Sequence, residues 1–122
     1  MRTSLNKDSI RKAILAVNTV GIANAAGIVP KQFTGYIASF GAAVIQSGLI
    51  PAVVFFEDTE ANSEEDRSLL IQAIEYYCDY NEQLSTLLLG TTNEALLEKE
   101  VEVLDAAQAI KLALRTFKKS ES

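Results

Sequence analysis

Lys111, Arg115 and Lys119 recur at four-residue intervals, with Lys118 beside them, and these cations are the residues of the sequence best fitted to a chemical task. On a helix that spacing stacks like charges on one face, where they repel, so such a row points to an anion outside the chain. A second set, Lys7, Arg11 and Lys12, opens the first helical stretch, where positive charge opposes the helix dipole. Merged on one surface, Arg11, Lys12, Lys111, Arg115, Lys118 and Lys119 would suit a phosphate backbone. Readout would be of backbone alone, because no aromatic-rich nucleic-acid motif accompanies them. The plainer reading is solvated helix ends, since Glu94, Glu98 and Glu102 early in the last helix and Lys111, Arg115 and Lys119 late in it complement its dipole. Charge alone favours that reading.

Catalytic chemistry is poorly supplied. The sequence has no histidine, which removes the commonest general base and transition-metal ligand. Its one cysteine, Cys78, lies in the run YYCDY, whose Tyr77 and Asp79 would not lower a thiol pKa, so a small core residue is expected there. Glu-x-x-His pairs and phosphate-cradling glycine loops are absent, and the acidic stretch from Glu57 to Asp66 lacks the ligand spacing of a calcium loop. No catalytic residue, metal, cofactor or small-molecule substrate is therefore expected. A helical enzyme built on Arg and Glu has no residue pattern in its favour.

The elements that must position the cations read as helices. Ile10, Ala13, Ile14, Val17 and Val20 form one face of a first helix, stopped by Gly27 and Pro30. Pro30 suits the first turn of a second helix, in which Phe33, Tyr36, Ile37, Phe40, Val44 and Ile45 make an apolar stripe. Its small opposite side, Gly35, Ala38 and Ala42, predicts a central helix contacted on two sides. Gly48 ends it, and Pro51 opens a short helix through Phe56. After the polar run EDTEANS, Ser63 and Asp66 form a capping box for a helix whose inner face is Leu69, Leu70, Ala73, Ile74, Tyr77 and Tyr80. Its polar stripe is Glu65, Ser68, Gln72, Glu75, Asp79 and Glu82. A short apolar turn, Leu84 to Leu89, precedes a last helix capped by Thr91 with Glu94 and running to about Lys118. The fold expected is an all-α bundle, one domain over residues 1–122, with four main helices and one or two short ones.

The net charge of -5 averages unlike regions: residues 1–12 carry +3, 13–56 carry +1, 57–105 carry -12 and 106–122 carry +3. Residues 32–56 are uncharged, yet glycine, prolines and amides interrupt the apolar stretch around them, so a buried helix pair is expected and a membrane hairpin is not. With no internal disulfide possible and no secretory pattern at the start, the cytoplasm is the expected compartment.

The segment YIASFGAAVIQSGLIPAVVFF, Tyr36 to Phe56, resembles the helix, Gly-Leu break and short apolar helix of the small subunit of Cmr complexes, the type III-B CRISPR RNA-targeting effectors. LDAAQAIKLALRTFKK, Leu104 to Lys119, is similar to that family's final helix. The sequence departs from the pattern in lacking a tryptophan in the last helix and in its acidic middle. The resemblance implies a non-catalytic subunit that stacks on copies of itself beside the backbone subunits and supports guide and target RNA in antiviral defence. Gly48, Leu49 and Pro51 would set the helix break, the terminal cations would face RNA phosphates, and the acidic segment would meet a basic neighbour. The competing readings are a helical adaptor binding only proteins and the small subunit of the related type III-A complex.

Overall fold

A computed structural model describes residues 5–58 and 66–120. Its helices are α1 (Lys7–Thr19), α2 (Gln32–Ser47), α3 (Leu49–Glu57), α4 (Ser68–Cys78), α5 (Leu84–Leu89) and α6 (Asn93–Leu114), with two-residue strands β1 (Ile28–Val29) and β2 (Lys118–Lys119). The all-α expectation holds: among the described residues four long helices and two short ones form one core.

Helix α6 is the axis of the bundle, and α1, α2 and α4 all pack on it. It buries a row of alanines, Ala106, Ala109 and Ala113, beside a bulkier row, Val103, Ile110 and Leu114. Helix α1 buries Ala13, Ala16 and Val17 in return. Alanines on both helices let the two backbones approach closely. Helix α2 supplies Phe33, Ile37, Phe40 and Val44, and its Phe40 meets Phe56 of α3 edge to face at 5.3 Å between ring centroids. The expectation that the second helix is central is thus corrected. Gly35, Ala38 and Ala42 are exposed, and a Cβ added at Gly35 would meet nothing within 4 Å.

The helix break at Gly48 is as the sequence implies. Gly48 has φ 98°, a conformation that a side chain resists, and its N–H closes α2 on the carbonyl of Val44. Leu49 is buried directly after it, and Pro51 occupies the first turn of α3, where no intrahelical N–H is needed.

Helix starts differ from expectation by a few residues. The Ser63 capping box falls outside the described residues, apart from Asp66. There the carboxylate accepts from the backbone N–H of Ser68, at 3.0 Å, and from its hydroxyl. This satisfaction lets Ser68, expected on a polar stripe, lie buried at 7% exposure. The cap of α6 is Thr92, which accepts from Ala95 N–H at 3.2 Å, while Thr91 instead donates to the carbonyl of Leu87 at 2.7 Å. Among the described helices none is long and apolar enough to cross a membrane.

Candidate nucleic-acid interface

The last helix stops at Leu114 rather than near Lys118, and how it stops decides where the cations go. Thr116 donates from its hydroxyl to the carbonyl of Ala113 at 2.7 Å, and the Lys119 ammonium turns back to the carbonyls of Leu114 and Phe117. A cation on the carbonyls at a helix's negative end is favourable, so Lys119 is committed inside the chain. The backbone then extends into β2, which pairs in parallel with β1, Ile28 opposite Lys118 and Val29 opposite Lys119. Ser120 N–H donates to the Val29 carbonyl at 2.9 Å, and Lys31 N–H donates to the Ser120 hydroxyl at 3.2 Å.

This strand pairing fixes an assembly invisible in the sequence. It sets Lys31, at the start of α2, beside the segment carrying Lys118, and both side chains are exposed. Lys111 and Arg115, one turn apart and also exposed, stand on the end of α6 that leads into it. No Asp or Glu occurs in residues 13–56 or 106–120, the segments that build this end; the carboxylates nearest in sequence are Asp105, before Lys111, and Glu121, after Lys119. Lys31 was missed by spacing arguments because it belongs to no periodic set. The available signal was its isolation as the only charged residue between Ala13 and Phe56.

Arg11 and Lys12 lie elsewhere. Arg11 pairs with Asp8 at 3.4 Å, with both side chains well exposed. Lys12 Nζ is 3.6 Å from Asp79 Oδ2 and 5.1 Å from the centroid of the Tyr77 ring. Lys12 also lines a cleft of about 240 Å³ with Tyr77, Cys78, Glu102 and Asp105, which places it beside the middle of α6. At the other end of α1, the loop folds back through hydrogen bonds of Ile22 and Ala23 N–H to Val17 before β1 joins β2. Lys111 and Arg115 then stand about 9 and 15 Å further along α6 than Asp105, from a rise of about 1.5 Å per residue. The terminal cations therefore form two groups: one beside carboxylates, the other at the carboxylate-poor end.

The side chains around the Lys12 cleft are held by burial and by one another. Burial pushes the Cys78 thiol up to about 11, with Sγ resting 3.8 Å from the carbonyl of Glu102. Burial also raises Tyr80, whose hydroxyl donates to Glu102, and Lys99 lies 3.4 Å from the same carboxylate. No cluster of metal-ligating side chains occurs among the described residues.

A family described as CRISPR-associated protein (Cas_Cmr5) matches residues 5–118, from the residue before the α1 cap to the first residue of β2. The chain belongs to this family. It is thereby a CRISPR-associated small subunit of the Cmr, type III-B, complex. The match covers both segments on which the sequence resemblance rests, the Gly48–Leu49 break and the final helix. Among curated proteins and among solved structures, no significant match to this Cas_Cmr5 chain is found.

Proposed function

We propose that this Cas_Cmr5 subunit is a non-catalytic, cytoplasmic component of the Cmr effector that supports guide and target RNA through phosphate contacts while stacking beside other subunits in antiviral defence. The observation carrying this reading is the end built from β1, β2, the start of α2 and the end of α6. There Lys31, Lys111, Arg115 and Lys118 gather in segments free of carboxylates. Exposed cations gain free energy by displacing counterions from a phosphate backbone, and they do so without regard to base sequence. Bond cleavage belongs to other subunits. Of the remaining sequence candidates, Lys119 holds the end of α6, and Arg11 and Lys12 sit among acids, so none of the three is assigned an RNA contact.

The test is target-RNA capture by the assembled complex carrying Lys111→Glu, Arg115→Glu and Lys118→Glu. Because these side chains are exposed, the helical circular-dichroism signal should persist while capture falls. Unchanged capture would favour an adaptor that binds proteins alone.

A further inference from the structure

The first half of α6 carries a surface that the RNA reading leaves unused. Leu97 and Val101 project into solvent, 70% and 48% exposed, although both belong to the bundle's central helix. With half-buried Leu104 they recur at four and three residues, the spacing of a coiled-coil seam. Glu98 lies on one flank of that seam and Glu100 on the other, with Glu94 a turn earlier in line with it. Glu102 is not part of this set, because Tyr80 and Lys99 hold its carboxylate. Leu89, 70% exposed in the last turn of α5, adds apolar surface near the start of α6.

We propose that the Leu97–Val101–Leu104 seam is the docking surface for a basic amphipathic helix of another Cmr subunit. The inference rests on reading the chain as a complex component, and it names the surface and the chemistry of the partner. An apolar seam drives association by burial, while charges on its flanks choose the partner. Acidic flanks on both sides repel the same acidic stretch of a second copy, and they repel RNA as well. A helix with leucine-like residues in its seam and Lys or Arg on its flanks satisfies both requirements.

Two variants test this with the full chain as bait for each purified Cmr subunit: Leu97→Ser with Val101→Ser, and Glu98→Lys with Glu100→Lys. The wild type should retain one subunit, and both variants should lose about tenfold in its retention, as expected when the centre of a small interface is removed. Melting temperature and circular dichroism should stay close to wild type, since the apolar pair projects outward. A synthetic helix with leucine in its seam and lysine on its flanks should bind the wild type and neither variant. Equal retention of wild type and variants would overturn the docking surface and leave complex membership standing. Retention of no subunit by the wild type would likewise overturn the docking surface, because the seam would then have no Cmr partner. Self-association of the wild type that vanishes in the variants would overturn the proposal in favour of a second copy, since α1 exposes Lys7, Arg11 and Leu15 at four-residue intervals.

Discussion

The two halves of α6 share one helix and one core, yet they face solvent with opposite charge. In the first half Glu94, Glu98, Glu100 and Glu102 surround Leu97 and Val101, and the nearest cations, Lys12 and Lys99, are held by Asp79 and Glu102. In the second half Lys111 and Arg115 lead to Lys118, which the strand pairing sets near Lys31, and no carboxylate is encoded in residues 106–120 or 13–56. Helix-dipole complementarity puts acid first and base last, but it acts only within a terminal turn. Acidic residues persist to Asp105, well inside α6, and Lys31 comes from another element entirely. The division therefore extends beyond what stabilises one helix, as the proposed RNA-facing and protein-facing ends require.

The largest effect should come from exchanging charge between the halves. Lys111→Glu with Arg115→Glu should weaken RNA binding by the isolated chain more than about tenfold near 0.15 M salt, whereas Glu94→Lys with Glu98→Lys should not weaken it. Filter binding to a single-stranded RNA of arbitrary sequence distinguishes them. Comparable losses from both pairs would break the division.

Next in size is the clasp on α5, at the acidic end. Glu57 accepts from Gln83 Nε2 and Ser85 N–H, each at 3.0 Å, and Glu75 accepts from Leu84 N–H at 2.7 Å, so carboxylates from α3 and α4 close the start of α5. Glu75→Ala leaves that N–H without its acceptor and should lower stability by about 1–3 kcal/mol in a urea titration. Glu75→Gln keeps an oxygen for it and should cost far less. Burial holds the Glu75 carboxyl above its ordinary value, the Leu84 N–H pulls it down, and Glu57 pushes it up again. The folded protein therefore takes up this proton more readily than the unfolded chain does. The contribution of Glu75 to stability is full below the ordinary carboxylate range and falls as pH rises through its raised pKa, and Glu75→Gln should flatten that fall.

This clasp also marks where the sequence was legible. The apolar spacing of Phe33, Ile37, Phe40 and Val44, the Gly48 break and the inward row Val103, Ile110 and Leu114 all follow from local periodicity, and they stand as read. Glu57 read as the start of a solvated linker and Glu75 as part of a polar stripe, because nothing local tells a carboxylate that it will meet the amides of α5. Lys31 escaped, and Lys119 was assigned to phosphate rather than to the end of α6, for the same reason. A two-residue parallel strand pair carries no alternation, and residues about 90 positions apart meet through it. The small face of α2 was misjudged because small residues permit close packing without requiring it.

A smaller effect separates the two lysines of β2. Lys119→Met removes the ammonium from the end of α6 and should cost about 0.3–1 kcal/mol in thermal unfolding, with little change in RNA affinity. Lys118→Met should do the reverse, leaving stability nearly unchanged and weakening RNA binding.

The most direct measurement is the salt dependence of RNA binding for the wild type, Lys31→Gln and Arg11→Gln. The steepness of log affinity against log salt counts phosphates neutralised, with about 0.7 per contact for single strands. The account predicts that Lys31→Gln, a residue no sequence pattern singles out, flattens the slope by about 0.7, while Arg11→Gln leaves it unchanged. A slope untouched by Lys31→Gln and flattened by Arg11→Gln would contradict it, placing RNA at the opening of α1 rather than where the two strands meet.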